Sequence, residues 1–419
     1  MKTEYKVVVA HPGKQHSFYL AEALEKENML DSYVTTVYDG EHSITHFLGK
    51  FLKGDNKKRF LTRKNEIFDQ RVVQTCEIKG LLYLFLIRVK WGVKIRRHIE
   101  SELHEKTYLK ALEIANKHHA DAIIVFGGYK PLHKEYLEKH CPWVKCIIDV
   151  PILTNPYIVN ILERDIERTG DRYIRYEQSA SWNEEGMNTI RFWSNNADGY
   201  LAGSNVVKKS LEYLGTPEKK IKIVHYGVDT AMFSQKIYPE SHEIITFVFV
   251  GAVNRRKGIH HLLPAFSKIS PRKAKLIIVG KYDETDPLIL QYKNKVNIEF
   301  AGFVTKDMVP AFYQKADVFV LPSLGEGMAQ VGIEAMSSGL PVICTDVSGV
   351  NDVIVNGANG FVIPASDEES ITNRMEWFIE NPDQIEQMGK NARKTALTLT
   401  WDDYSQNVCK AVREVIQDK

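Results

Sequence analysis

Two glutamates, Glu326 and Glu334, stand eight positions apart in LGEGMAQVGIEAMSSGLPVICTD (Leu324–Asp346). Gly325 and Gly327 flank the first, and a helical pattern begins just after it. DVFVLPS (Asp317–Ser323) reads as a buried strand, so Gly325–Gln330 falls on a loop at its carboxyl end. Glycines there let a ligand approach the backbone closely. The free N–H groups opening the next helix, near Met328–Val331, form an anion site suited to phosphate. Glu334, about one turn inside that helix, can reach past the anion to hydroxyls, as an acidic residue does for a ribose. Glu326 is placed for hydroxyls on the other side of the anion. Hydroxyl, phosphate, hydroxyl is the layout of a nucleotide sugar. The same pair would also suit a plain helix, with one Glu favouring the dipole and the other solvated.

Complementary charge comes from GAVNRRKGIHHLLPAF (Gly251–Phe266), where Arg255, Arg256 and Lys257 cluster at a strand-to-helix junction. Forked guanidinium plus ammonium would neutralise a diphosphate and stabilise it as a leaving group. Three adjacent charges are equally compatible with a solvated basic turn. HPGKQHSFYLAEAL (His11–Leu24) is not a Walker loop, since Val8 replaces the first glycine and Gln15 follows the lysine. It leaves Gly13 between His11 and His16 at a strand end, where either histidine could meet a phosphate or an acceptor hydroxyl. GxGxxG, HExxH, GxSxG and DxD are all absent. Without DxD, a diphosphate would be met by protein groups rather than by a bound metal, and no cofactor is called for.

The elements that must position these loops are short apolar runs alternating with helical patterns. Lys6–Pro12, Asp121–Gly128, Lys145–Pro151, Gly199–Ser204 and Lys222–Gly227 read as buried parallel strands. Ser17–Glu27 and Leu84–Lys117 read as helices between them. Val228–Glu243, polar and aperiodic with Pro239, reads as a linker. Beyond it come strand patterns at Ile245–Val253, Leu276–Lys281, Asn297–Phe303, Asp317–Ser323 and Pro341–Asp346. The expected fold is α/β, two doubly wound Rossmann-like domains facing across a cleft, covering 1–232 and 233–400. The order of strands within each sheet cannot be read this way. A length of 419 residues suits two cores, and a net charge of +2 carries no global nucleic-acid signature. Five scattered cysteines without CxxC suggest neither disulfides nor zinc. The longest apolar run, Gly80–Ile87, is far short of the roughly 20 residues that span a bilayer. The N-terminus reads as a strand rather than a signal peptide, and the expected location is the cytoplasm.

Together these residues resemble family 4 retaining glycosyltransferases, which have the GT-B fold. Glu326–Glu334 matches their E-x7-E signature, and EAMSSGLPVICTD resembles the segment that follows it. RRKGIHHLLPAF looks like the donor-phosphate segment, Ala197–Phe233 like the end of the N-terminal domain, and Asn356–Asp367 like the hairpin after the signature. The resemblance implies that Glu326 holds hydroxyls of the donor sugar and Glu334 binds the ribose. It places backbone groups of Gly327, Met328, Ala329 and Gln330 near the sugar and phosphates, and Gly302–Val304, with Phe303, at the base. Arg256 and Lys257 become the phosphate pair, and Gly13 closes over the diphosphate. The helix 401–419 would pack back on the N-terminal, acceptor-binding domain. Three departures stand out. Asp149 lies roughly where the family often has a histidine, Ala252 replaces an arginine that Arg255 or Arg256 must supply, and G-M-A-Q makes Gln330 a candidate for donor choice.

The resulting expectation is a metal-independent, retaining transferase. It would move a sugar from a UDP- or GDP-linked donor to a glycan or lipid-linked acceptor, with Glu326, Asp149 and His16 as catalytic candidates. A sugar-nucleotide epimerase, a phosphorylase and a non-catalytic sugar-nucleotide-binding subunit remain alternatives. Residues 50–97 hold 14 Lys/Arg against four Asp/Glu, interleaved with aromatic and aliphatic residues. Such a surface suits an anionic bilayer at the inner membrane face, or merely a solvated helix face. No nucleic-acid-binding module accompanies the charge.

Overall fold

The computed structural model describes residues 5–51, 60, 62–89, 91–238 and 243–418. Runs of buried aliphatic residues make the strands. In the N-terminal domain these are β1 (Val7–Ala10), β2 (Leu30–Thr35), β3 (Val72–Gln74), β4 (Ala122–Val125), β5 (Lys145–Val150), β6 (Gly199–Ala202) and β7 (Ile221–Ile223). They form one sheet in the order β3-β2-β1-β4-β5-β6-β7. The second domain holds β8 (Ile245–Val250), β9 (Ala274–Val279), β10 (Ile298–Gly302), β11 (Val318–Leu321), β12 (Val342–Thr345) and β13 (Gly360–Ile363), ordered β10-β9-β8-β11-β12-β13. All pairings are parallel. Helices cover both faces, which is why strands such as VVVA and AIIV are buried end to end.

Each sheet reverses its strand order once, between β1 and β4 and between β8 and β11. Loops leaving strands at such a point diverge to opposite faces and open a crevice. The loops after β1, β8 and β11 are those carrying His11–His16, Val253–Lys257 and Ser323–Gln330.

Several expectations differ in detail. LDSYVT and VVQ are strands that Asp31, Ser32 and short length concealed from an apolar-run reading. Leu84–Lys117 is not one helix. Glu77–Arg88 and Val93–His118 are separate, and Gly92 enters the second at φ 66°, outside the right-handed helical region. Val228–Tyr238 is packed rather than a free linker. Val228 N–H donates to Leu399 O at 2.8 Å, Phe233 is fully buried, and Lys236 Nζ bonds Asp317 at 3.2 Å. Residues 239–242 of that stretch lie outside the described residues. NGANGFVIPASD forms no hairpin. It turns at Gly357 and continues as β13, a parallel edge strand on β12.

The final helix, Trp401–Gln417, starts with a reciprocal Thr400–Asp403 cap and crosses back to the N-terminal domain. Trp401 stacks on Tyr19 with centroids 3.5 Å apart. A Cβ on Gly227 would sit 2.4 Å from the Trp401 nitrogen, so this crossing tolerates no side chain. Among the described residues no helix is long and apolar enough to cross a membrane.

Candidate active site

On the C-terminal domain, the chain leaving β8 turns through Arg255–Lys257. The Asn254 side chain caps this turn by accepting Lys257 N–H at 3.0 Å. Leu324 N–H donates to Arg256 O at 2.8 Å, tying the turn to the loop after β11. Arg256 Nη1 donates to Gly325 O at 2.6 Å and to Glu326 Oε1 at 2.8 Å, and Lys257 Nζ reaches the same oxygen at 2.8 Å. One carboxylate, 7% exposed, therefore balances two cations. Beside it the helix Gln330–Ser337 begins with no side-chain cap, and among the described residues Gln330 and Val331 N–H find no acceptor. Gln330 Nε2, Ser323 Oγ and Ser348 Oγ are buried without partners as well. Buried donors without acceptors at a helix N-terminus are what a polar anion would satisfy.

Glu334 lies inside that helix, 5% exposed, and its Oε1 is 3.2 Å from Lys306 Nζ. Burial raises its pKa, and the Lys306 charge only partly opposes the shift. Lys306 follows the loop Gly302–Val304, where Phe303 is 61% exposed and Val304 half-buried. The ion pair thus draws the Phe303 loop toward Glu334. Nothing in the local sequence GFVTKD singles out this lysine, because its partner is 28 positions away.

On the N-terminal domain, His16 Nε2 lies 2.9 Å from Asp149 Oδ1 at the end of β5 and 3.4 Å from Tyr226 Oη. Phe126, just past β4, packs edge-on against both His16 and His11. Gly13 N–H donates to His11 Nδ1 at 2.7 Å. Burial, aided by the neighbouring His104, lowers the His11 pKa to about 3. His11 is thus a neutral acceptor that shapes the Gly13 turn.

The two domains meet at the same place. A Cβ on Gly327 would lie 1.8 Å from Pro151 O, so the loop after β11 seats directly on the end of β5. Ser204 Oγ donates to Gly327 O, and Tyr226 N–H points at Met328 Sδ at 3.3 Å. Asn205 N–H and His225 Nε2 both reach Asp352 Oδ2, at 2.7 and 3.0 Å. Met328 and Ala329 are buried, and Ala329 N–H donates to Ser348 O at 3.3 Å.

Arg255, a predicted phosphate contact, is turned elsewhere by the structure. Its guanidinium bonds Asp171 at 3.1 Å, Glu177 at 3.3 Å and Asp286 at 2.8 Å, and stacks over Tyr173 at 4.4 Å. It is 3% exposed, so no donor of its fork faces the crevice. His260 and His261, four and five residues beyond Arg256, each place Nε2 2.7 Å from an Asp165 oxygen. Burial alone would raise Asp165, but the two histidines outweigh it and hold the carboxyl low. Among the described residues this trio is the one grouping with metal-ligand proximity, and its ligand atoms are already paired with one another. The segment 165–177 thus clasps the C-terminal domain electrostatically. Tyr226, Ser204, Lys306 and this clasp escaped sequence reasoning, since each acts across a gap in sequence that only folding closes.

Residues 233–395 match the family model described as glycosyl transferases group 1. The uncharacterized glycosyltransferase MJ1607 of Methanocaldococcus jannaschii is 27% identical over 284 residues, 62% of this chain and 70% of that protein. The capsular polysaccharide biosynthesis glycosyltransferase CapM of Staphylococcus aureus is 32% identical over 183 residues, 42% of this chain. That match spans 47% of CapM, about half its length. Sucrose-phosphate synthase from Thermosynechococcus elongatus superposes with a TM-score of 0.65 at 17% identity, covering 99% of both chains. Anabaena Alr3699/HepE, solved in complex with UDP-glucose, gives 0.61 at 13% identity, covering 99% of this chain and 100% of that one. Those two likenesses establish the fold alone. The family match covers the C-terminal domain, residues 233–395, and the full-length superpositions extend the likeness to the two-domain fold of the whole chain.

Proposed function

We propose that the protein is a retaining, metal-independent transferase moving a sugar from a UDP- or GDP-linked donor to an acceptor hydroxyl in polysaccharide or glycolipid assembly. The observation that carries this reading is the Glu326 carboxylate held at 2.8 Å by both Arg256 and Lys257 beside an uncapped helix N-terminus. An incoming diphosphate competes for the two cations and gains the helix N–H groups. The carboxylate it displaces becomes an acceptor for sugar hydroxyls. Glu334 then takes the ribose, and the exposed Phe303 with Val304 takes the base. Gly13 closes over the diphosphate from the opposite domain. Departure of the diphosphate is steadied by Arg256, Lys257 and the helix, while the acceptor attacks from the same face. His16, oriented by Asp149, is placed to handle the acceptor proton. Asp149 is engaged by His16 and the displaced Glu326 by sugar hydroxyls, which favours front-face departure over a protein nucleophile. Polysaccharide assembly is supported by the similarity to CapM, a capsular polysaccharide biosynthesis glycosyltransferase, and a UDP donor by the fold shared with HepE, solved with UDP-glucose.

A screen of nucleotide sugars for thermal stabilisation would identify the donor. With that donor, Lys257→Ala and Glu326→Ala are expected to lower kcat about 10²–10³-fold, the usual cost of one preorganised charge-stabilising group. Full activity in both variants, with folding intact, would remove the assignment.

The basic stretch 50–97 supports docking at an anionic membrane face. Part of it lies outside the described residues, but Phe51, Ile78, Phe85 and Trp91 are 59–70% exposed, and Lys79, Arg88 and Lys94 are exposed as well. Co-sedimentation with vesicles should require anionic lipid, and equal binding to neutral vesicles would reject docking.

A further inference from the structure

The helix Asn155–Thr169 buries one face, made of Ile158, Leu162, Asp165 and Ile166. That spacing is an apolar helical stripe with a carboxylate set into it. A buried carboxylate is costly unless it is paired, and Asp165 finds its pairs in the other domain. Its two oxygens meet Nε2 of His260 and of His261, each at 2.7 Å. All three residues are buried, and His260 Nδ1 is left without a partner. As plain glue between domains this is a poor choice, since apolar side chains of similar volume hold a seam as well or better. The position of the histidines supplies another reason. They sit in the first turn of Ile259–Ser267, directly after the turn that carries Arg256 and Lys257.

The same N-terminal segment holds the other flank of that turn. Glu177 Oε2 accepts the Arg255 backbone N–H at 2.7 Å, a contact that does not depend on the Arg255 side chain. Between the flanks, a Cβ on Gly258 would lie 1.9 Å from Pro322 O, so the turn rests on the end of β11, with φ 73° at Gly258. On the Asp165 stripe, Ile158 reaches the neighbouring loop, where a Cβ on Gly325 would lie 2.9 Å from Ile158 Cδ1. Gly325 O is the atom that accepts from Arg256 Nη1. Between Arg255 and His261, the side chains of Arg255, His260 and His261 are committed to carboxylates of the N-terminal domain. Arg256 and Lys257 are left aimed at Glu326. The turn is built in one domain and braced from the other.

We infer that Asp165 is a positioning residue for the transfer reaction, acting through His260 and His261 to hold the Arg256–Lys257 turn in its phosphate-binding position, with Glu177 bracing the other flank. The inference rests on the transferase reading and gives the N-terminal domain a part in gripping the donor phosphates. A braced turn presents both cations already ordered, so an incoming diphosphate does not have to order them. Released from Asp165, the turn must be ordered anew at each binding event. In the same reading the base and ribose meet Phe303, Val304 and Glu334, which the brace does not touch.

Calorimetric titration of the full chain with UDP and with uridine separates this role from a merely structural one; GDP and guanosine replace them if GDP is the nucleotide that binds. Asp165→Asn should weaken UDP about tenfold, the value of one charge-assisted contact, and leave uridine affinity unchanged. In a Lys257→Ala background the same substitution should weaken UDP about threefold at most, because one of the cations it positions is gone. His261→Leu should also weaken UDP without affecting uridine, and His261→Gln, which keeps an N–H for Asp165, should recover most of that loss. The His261 pair carries the test if Asp165→Asn does not fold. Wild-type UDP affinity in both Asp165→Asn and His261→Leu, equal losses for UDP and uridine, or the full tenfold loss in the Lys257→Ala background would overturn the inference. Binding of neither nucleotide by the wild type would instead remove the donor reading, and the inference with it.

Discussion

Gly327→Ala isolates the contribution of the domain seam. The added methyl would lie 1.8 Å from Pro151 O and 2.7 Å from its carbon. A comfortable C···O separation is about 3.3 Å, so the loop and β5 must part by roughly 1.5 Å. Pro151 is a rigid backbone partner, and Ser204, bonded to Gly327 O, resists a local shift. The relief is therefore opening of the two domains where the loop carrying Glu326 seats on the end of β5, two residues beyond Asp149. A 1 Å misplacement of reacting groups costs about 10²-fold in rate, so kcat should fall by at least that factor. UDP affinity should fall far less than kcat, because Arg256, Lys257 and Glu334 all belong to the C-terminal domain and move together, and only the Gly13 closure and the Asp165 brace from the opposite domain are loosened. The measurement is a steady-state kcat and KM determination with the stabilising donor, alongside UDP calorimetry. Wild-type kcat in the alanine variant would refute the reasoning, as would a loss confined to UDP binding.

Arg255→Ala should behave oppositely to Lys257→Ala. It leaves Asp171, Glu177 and Asp286 without their shared cation, at a cost of about 3–5 kcal/mol of stability for a broken buried pair; a thermal midpoint like that of wild type would count against the clasp. His11 is neutral in the fold, with its pKa lowered to about 3 against 6.5 when unfolded. Its stabilising contribution is complete above pH 6.5 and is lost as pH falls toward 3, amounting to about 2 kcal/mol at pH 5. His11→Asn, which keeps an acceptor for Gly13 N–H, should flatten the decline in thermal midpoint between pH 7 and 5, and an unchanged decline would contradict this. Lys306→Ala removes the cation that partly offsets burial of Glu334, so that carboxyl should protonate at higher pH. The acid-side loss of UDP affinity should move to higher pH accordingly, and an unmoved profile would separate Glu334 from nucleotide binding.

Much of the architecture was legible because parallel strands covered on both faces are continuous aliphatic runs, as in VVVA, AIIV and ITFVFV. The strands that escaped, LDSYVT and VVQ, carry polar residues or are too short to register. Glu326, Arg256, Lys257 and the Gln330 helix start were legible because a loop chemistry of glycine, carboxylate and cation is written locally. The sequence by itself thus determined which loops carry charge and which strands precede them. Tertiary structure alone decided that β8 neighbours β11, which brings Arg256 and Lys257 onto one oxygen of Glu326. It decided too that, of two adjacent arginines, one turns into a buried clasp with Asp171 and Glu177 while the next faces the crevice. The physical reason is range. Burial patterns and turn chemistry act over a few residues, whereas ion pairing depends on which distant carboxylate the packed domains bring within about 4 Å.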